Sequence, residues 1–315
     1  RSSDLTMNTT VRGRRDLDNM KVPFVGEIPL AYRKTTKEQI SGVKARLMAM
    51  IPTKVKEQLH LVEKKEKTEK AIPEIIVKAN SRNIINEAFR VLRTNLEFMQ
   101  GKNTNGRVIM LTSANPNSGK TFISANLSTA MAIKKKKVLA IDLDLRKKSL
   151  SEYFGQPKVG ISDYLSGQVD DYKSLIVHHT TEEAQLDVIP VGTMPPNPAE
   201  LLADPQLEKM LVELRDKYDY IFLDCPPIEI VTDADIINKY ADSTLFVVRA
   251  GLLERSMLSQ IDNLYNTQKY KSMAIILNGT DSVDAETLAR ADVNGDGLVT
   301  IADANAVISR ILGNA

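Results

Sequence analysis

Short, nearly unbroken apolar runs recur between residues 108 and 277, and they set the first expectation for the fold. The runs 108–111, 138–141, 186–189, 220–223, 245–248 and 274–277 are rich in Val, Ile and Leu and lack an in/out alternation of apolar and polar positions. A strand with one wet face alternates, whereas a strand covered on both faces does not. These runs therefore predict strands of a parallel sheet packed between helices. Segments 121–133, 205–217 and 254–269 have helical periodicity and supply the crossovers that parallel strands require. The expected fold is α/β, a doubly wound and mostly parallel sheet over residues 81–280.

The flanks differ. Residues 1–80 are basic and irregular, interrupted by Pro23, Pro29, Pro52 and Pro73, and the dense alternating charge of 54–70 predicts a solvated helix or tether. This zone is expected to be a linker without a compact core, and residues 281–315 form a third zone with its own signature. The composition, 43% apolar and 26% charged over 315 residues, is that of a soluble globular protein. A formal net charge of +2 gives no bulk attraction to nucleic acid, and none is expected as a partner. The single cysteine, Cys225, excludes an internal disulfide and fits a reducing compartment. No run approaches the roughly 18–20 apolar residues of a membrane helix. The start, Arg1-Ser2-Ser3-Asp4, has no apolar signal segment and reads as an internal cut, so a membrane anchor upstream remains open.

The chemistry begins where the first of these strands ends. Ala114, Asn115, Pro116, Asn117, Ser118, Gly119, Lys120, Thr121 and Phe122 follow it and open a helix. The spacing is that of a phosphate-binding P-loop, with alanine at the usual first glycine. Backbone N–H groups at a helix N-terminus cradle polyphosphate, Lys120 is placed to reach the β- and γ-phosphates, and the Thr121 hydroxyl to bind Mg²⁺. Two later strands end in acids, one in Asp142 and Asp144, the other in Asp224. In an open α/β sheet these positions fall at the carboxyl edge, where ligands bind. ATP and Mg²⁺ are the expected ligands, with Thr121, Asp142 and Asp224 around the metal.

Asp142-Leu-Asp144-Leu-Arg146 resembles the additional Walker motif of bacterial tyrosine kinases, the cytoplasmic partners of capsule and exopolysaccharide chain-length regulators. Phe24-Val-Gly-Glu-Ile-Pro29 is similar to their juxtamembrane segment, and Glu87-Ala-Phe-Arg90-Val-Leu-Arg93 to their Glu-x-x-Arg-x-x-Arg helix. Gly192-Thr-Met-Pro-Pro-Asn-Pro-Ala-Glu-Leu-Leu202, Asp224-Cys-Pro-Pro227 and Thr232-Asp233-Ala234 also match, so the resemblance covers roughly residues 15–280. It implies a P-loop NTPase of the deviant Walker type that transfers phosphate from ATP to protein tyrosine. Lys120, Asp142, Asp144 and Asp224 would be catalytic, with one acid of the Asp142/Asp144 motif as the base. Glu87, Arg90 and Arg93 share a helix face. By spacing alone they read as an intrahelical ion pair; by resemblance they are the contact closing a homo-oligomeric ring. The resemblance also implies an upstream transmembrane co-polymerase segment and a place on the cytoplasmic face of the bacterial inner membrane.

Two alternatives stand beside the kinase: a partitioning-type switch ATPase, and a nucleotide-stabilised scaffold without kinase activity. The ATPases usually carry a signature lysine where this chain has Asn115. The tyrosine-rich tail that usually ends such kinases is absent, the last tyrosine being Tyr270. In its place Asp292, Asn294, Asp296, Leu298, Thr300 and Asp303 fall at positions 1, 3, 5, 7, 9 and 12 of an EF-hand-like loop, with Gly297 at position 6. This resembles one half of a dockerin module and predicts Ca²⁺ as a further ligand.

Overall fold

The computed structural model describes residues 9–30, 73–100, 106–228 and 233–280. In chain order the elements are β1 (Phe24–Pro29), α1 (Ile84–Gln100), β2 (Arg107–Ser113), α2 (Lys120–Ile133), β3 (Val138–Asp142), α3 (Ile161–Leu165), β4 (Val177–Thr180) and β5 (Gln185–Ile189). There follow α4 (Pro198–Leu202), α5 (Pro205–Arg215), β6 (Tyr220–Asp224), α6 (Asp233–Asn238), β7 (Ser243–Arg249), α7 (Leu258–Asn266) and β8 (Met273–Thr280). The strands form an eight-stranded sheet in the order β1-β8-β7-β2-β6-β3-β5-β4. Every pair is parallel except the antiparallel β4–β5.

The missing alternation has a direct cause. Val108 and Met110 of β2 pack into one apolar cluster while Ile109 and Leu111 pack into the other. Tyr220 and Phe222 of β6 are likewise separated from Ile221 and Leu223. Both sides of each central strand are dry, so the middle positions are apolar and polar residues fall at the strand ends. Helix α1 covers one face with Phe89, Leu92 and Leu96, spaced for a single stripe, and leaves Val91 and Phe98 exposed on the other side. Helix α2 packs on the same face and is buried almost all round, which its small residues Ala125, Ser128 and Ala132 permit. The opposite face is covered by Leu207, Met210 and Leu214 of α5, Ile237 of α6 and Ile261 of α7. Helix α5 starts where Asp204 accepts a hydrogen bond from Gln206 N (2.8 Å) with Pro205 in the first turn.

All six expected strands are present, and two more appear at the edges. Residues 9–30 and 73–80, expected to lack a core, bury Val11, Leu17, Val22, Val25, Ile28 and Val77. Strand β1 pairs with β8. Gly26 and Glu27 break its apolar pattern, and Gly26 lies so close to α1 that a Cβ would stand 3.2 Å from Leu92 Cδ1. Strand β4 reads Val-His-His-Thr and has one exposed side, so its sequence carries no buried-strand signal. The expected helix 254–269 is a 3₁₀ turn, Arg255–Met257, followed by α7. The charged stretch 54–70 and the expected calcium loop, Asp292 through Asp303, lie outside the described residues. Among the described residues no helix is long and apolar enough to cross a membrane.

Candidate active site

The loop between β2 and α2 is held open by its own hydroxyls. Ser113 Oγ and Ser118 Oγ both donate to Asn115 O, at 2.7 and 2.8 Å. Gly119 caps α2 with φ +88°, and a Cβ there would meet Asn278 Nδ2 at 2.1 Å, so the turn and the close approach both require glycine. Asn278, at the end of β8, donates from Nδ2 to Ser118 O (2.9 Å) and fixes the loop from behind. Lys120 begins the helix with only 7% of its surface exposed. The Thr121 hydroxyl donates to Asp224 Oδ2 at 2.7 Å.

Sheet register brings the acids together. Asp142 and Asp224 are paired across neighbouring strands β3 and β6, and both are buried. Asp142 Oδ2 accepts from Ser151 N (2.8 Å) and Ser151 Oγ (2.7 Å). The Oδ1 atoms of Asp142 and Asp224 are buried and, among the described residues, have no hydrogen-bond partner. Burial raises the pKa of Asp142, and the neighbouring Asp224 raises it further. Burial also raises Asp224, with Lys120 and the Thr121 hydroxyl pulling back. Asp144 is raised by burial against the opposing pull of Lys120 and Lys147. Like charges this close, in a dry site, repel each other and call for a cation.

These residues fit Mg²⁺ with ATP. Among the described residues no three His, Cys, Asp or Glu side chains converge as a closed metal cage. Mg²⁺ at phosphate sites is held by one or two carboxylates, with water and phosphate oxygens completing its shell. Two orphaned carboxylate oxygens beside the Thr121 hydroxyl supply that kind of partial shell.

Other expected positions fall differently. The Phe122 ring packs edge-on against Phe89 (5.8 Å between centroids), so its side chain belongs to the core and not to the nucleotide pocket. Arg146 is engaged within the chain. Its Nε binds Asp233 Oδ2 at 3.0 Å and neutralises an otherwise buried acid at the start of α6. Arg90 pairs with Glu87 and donates from Nη2 to Ala79 O (2.7 Å) and Ser81 O (3.0 Å). Arg93 Nη1 donates to Ala130 O at 3.0 Å. The Cys225 thiol is buried, and burial with nearby Asp224 pushes its pKa well up, as suits a small core residue and not a nucleophile. Ser151 and Asn278 were not identified from sequence as parts of the site, and no local motif marks them. Asp233 was read only as part of a matching motif, and its pairing with Arg146 from the start of α6 was not foreseen.

A helix-opening phosphate loop with lysine and threonine, facing strand-end acids on a parallel sheet, defines a P-loop nucleotide-binding domain. A family profile described as "AAA domain" matches residues 106–274. The chain is 33% identical over 206 residues to the tyrosine-protein kinase YwqD of Bacillus subtilis, covering 65% of this chain and 85% of that protein. It is 35% identical over 247 residues to a Klebsiella pneumoniae protein whose name places it among tyrosine-protein kinases of a cps region. That match covers 78% of this chain, which spans only 33% of the Klebsiella protein. The solved kinase domain of Escherichia coli tyrosine kinase ETK matches with a TM-score of 0.68 and 28% identity, over 87% of this chain and 97% of that domain. The chain belongs to the bacterial tyrosine-kinase family of P-loop proteins.

Proposed function

We propose that this chain transfers the γ-phosphoryl group of ATP to protein tyrosine and thereby regulates capsular or exopolysaccharide polymerisation and export. The observation that carries this reading is the pair of buried, unpartnered carboxylate oxygens on Asp142 and Asp224 beside Lys120 and Thr121. The named kinases among its relatives, one in a cps region, supply the reaction and its setting.

In this reading the N–H groups of 117–121 and the Lys120 ammonium hold the phosphates in line. Thr121, Asp142 and Asp224 would hold Mg²⁺, which would supply positive charge to the phosphate oxygens. The substrate tyrosine Oη forms the new O–P bond, the bond to the β,γ-bridging oxygen breaks, and ADP leaves. The phenolic proton passes to a carboxylate of the Asp142/Asp144 motif. Asp144 keeps 5% exposure where Asp142 has none, so Asp144 is the acid that a phenol can approach. Phosphoryl transfer through a loose transition state needs little more than such positioning.

The same reading places the chain on the cytoplasmic face of the bacterial inner membrane, with a transmembrane co-polymerase segment upstream. The length of its Klebsiella relative, of which it spans 33%, supports a longer assembly. Glu87, Arg90 and Arg93 would close a ring in which one subunit's tyrosine enters a neighbour's site. The loop from Asp292 to Asp303 would bind Ca²⁺, a reading supported by ligand spacing alone and tested by calcium titration of the isolated peptide.

The test is labelled phosphate transfer from ATP to a Glu-Tyr copolymer, comparing the wild type with Lys120→Met. Phosphotyrosine made only by the wild type is the expected result. Phosphate released to water, with none on tyrosine, would replace the kinase with the switch ATPase.

A further inference from the structure

The acids occupy one side of the phosphate loop, toward β6 and β3, but a second charged group stands on the other side. Arg249 ends β7, the strand on the opposite flank of β2. Its side chain lies flat over the Cα of Gly279, where a Cβ would meet Arg249 Nε at 2.8 Å and Cζ at 2.9 Å. From there it reaches toward the loop, with Nη1 3.6 Å from the position a Gly119 Cβ would take. Gly279, within β8, has φ +74°, a left-handed conformation that kinks the strand, and no side chain to lift the guanidinium away. Among the described residues the guanidinium has no hydrogen bond or ion pair. Arg90, Arg93 and Arg146, by contrast, are each tied to a carboxylate or a carbonyl.

Beside it is a second polar group, Asn278, which is buried and donates from Nδ2 to Ser118 O at 2.9 Å. The Asn278–Gly279 segment of β8 and Arg249 thus form a small shelf beside the P-loop. One wall is a planar cation and the other an amide.

Sheet geometry says what reaches this shelf. Neighbouring strands lie about 4.8 Å apart, so β8 stands roughly 14 Å from β6 across β7 and β2. A nucleoside triphosphate whose γ-phosphate lies by Asp224 and whose other phosphates follow the loop runs in this direction. Its nucleoside end then falls over β7 and β8. A guanidinium plane stacks on an aromatic ring and attracts its face. We propose that Arg249 binds the nucleobase, stacking its guanidinium on the purine, and helps set the affinity for ATP over bare polyphosphate. This rests on the P-loop reading above and assigns a residue that neither the phosphate motif nor the strand-end acids include.

The test is calorimetric titration of Mg-ATP and of magnesium with inorganic tripolyphosphate into the wild type, Arg249→Ala, Arg249→Lys and Lys120→Met. Circular dichroism and the thermal midpoint without ligand serve as folding controls. The expected result is that Arg249→Ala weakens ATP about 10-fold and leaves tripolyphosphate unchanged. Arg249→Lys should stay weak because lysine has the charge without the plane. An equal loss of ATP and tripolyphosphate affinity in Arg249→Ala would make Arg249 a phosphate contact and overturn the inference. ATP affinity unchanged in Arg249→Ala but lost in Lys120→Met would overturn it while leaving the P-loop reading intact. Wild-type protein that binds neither ligand would remove both.

Discussion

The carboxyl edge of β3 and β6 and the outer face of α1 both gather charged residues, and they treat them in opposite ways. At the sheet edge Asp142 and Asp224 are buried side by side, each with a carboxylate oxygen that no hydrogen bond reaches among the described residues. On α1 Glu87 and Arg90 pair across one helical turn, and Arg90 and Arg93 also hold carbonyls of the same chain. The first arrangement is costly without a ligand; the second is largely met within the chain, although the buried Nε of Arg93 lacks a hydrogen bond among the described residues. Buried charge left unsatisfied marks a place where something binds. Satisfied charge at the surface contributes little to stability and gives no such sign.

The sharpest way to break this comparison is Lys120→Met, which removes the P-loop cation expected to face the phosphates. Phosphoryl transfer should fall by about 100- to 1000-fold, as for loss of a major charge-stabilising group, with initial rates of phosphotyrosine formation as the readout. Next comes Asp142→Asn, which should stabilise the ligand-free protein by about 1–2 kcal/mol, or roughly 4 °C in thermal midpoint. The pH dependence follows from the raised carboxyl. Above about pH 4 the unfolded chain releases a proton that the folded chain retains, so folded stability falls as pH rises toward the raised value. The amide that replaces the carboxyl in Asp142→Asn has no such proton to lose. The stabilisation should therefore be larger at pH 8 than at pH 5 in thermal melts with chelator present.

An effect of similar size but opposite sign is expected at the Arg146–Asp233 pair. Arg146→Ala leaves the Asp233 carboxylate buried without its cation. The exposure of the arginine limits the loss to about 1–2 kcal/mol, measurable by urea unfolding. The smallest effect belongs to α1. Glu87→Ala should change stability by no more than about 0.5 kcal/mol, so any change in mass by light scattering would report the proposed ring and not unfolding.

Much of this was legible in the chain because the residues concerned are contiguous or sit at strand ends. The P-loop is a single stretch, and Asp142 and Asp224 close apolar runs whose direction alone places them at one edge. Family likeness added the α1 motif and the tyrosine substrate. What sequence could not supply was the partner of each group. Ser151 reaches Asp142 through a turn, Asn278 reaches Ser118 from 160 positions away, and Arg146 meets Asp233 across 87. Such pairs are fixed by sheet order and leave no periodicity. The edge strands escaped for a different reason. β1 is broken by Gly26 and Glu27, and β4 is polar because one of its sides is exposed. A pattern that detects dry strands passes over half-wet ones.

The central claim is that the orphaned carboxylates form a magnesium site for phosphoryl transfer to tyrosine. It is tested most directly by following phosphotyrosine formation as Mg²⁺ is varied at saturating ATP, in the wild type and in Asp142→Asn. The account predicts a wild type that requires Mg²⁺ and a variant that stays folded yet loses most of the rate at every concentration. Equal rates and equal Mg²⁺ dependence in the two proteins would contradict it.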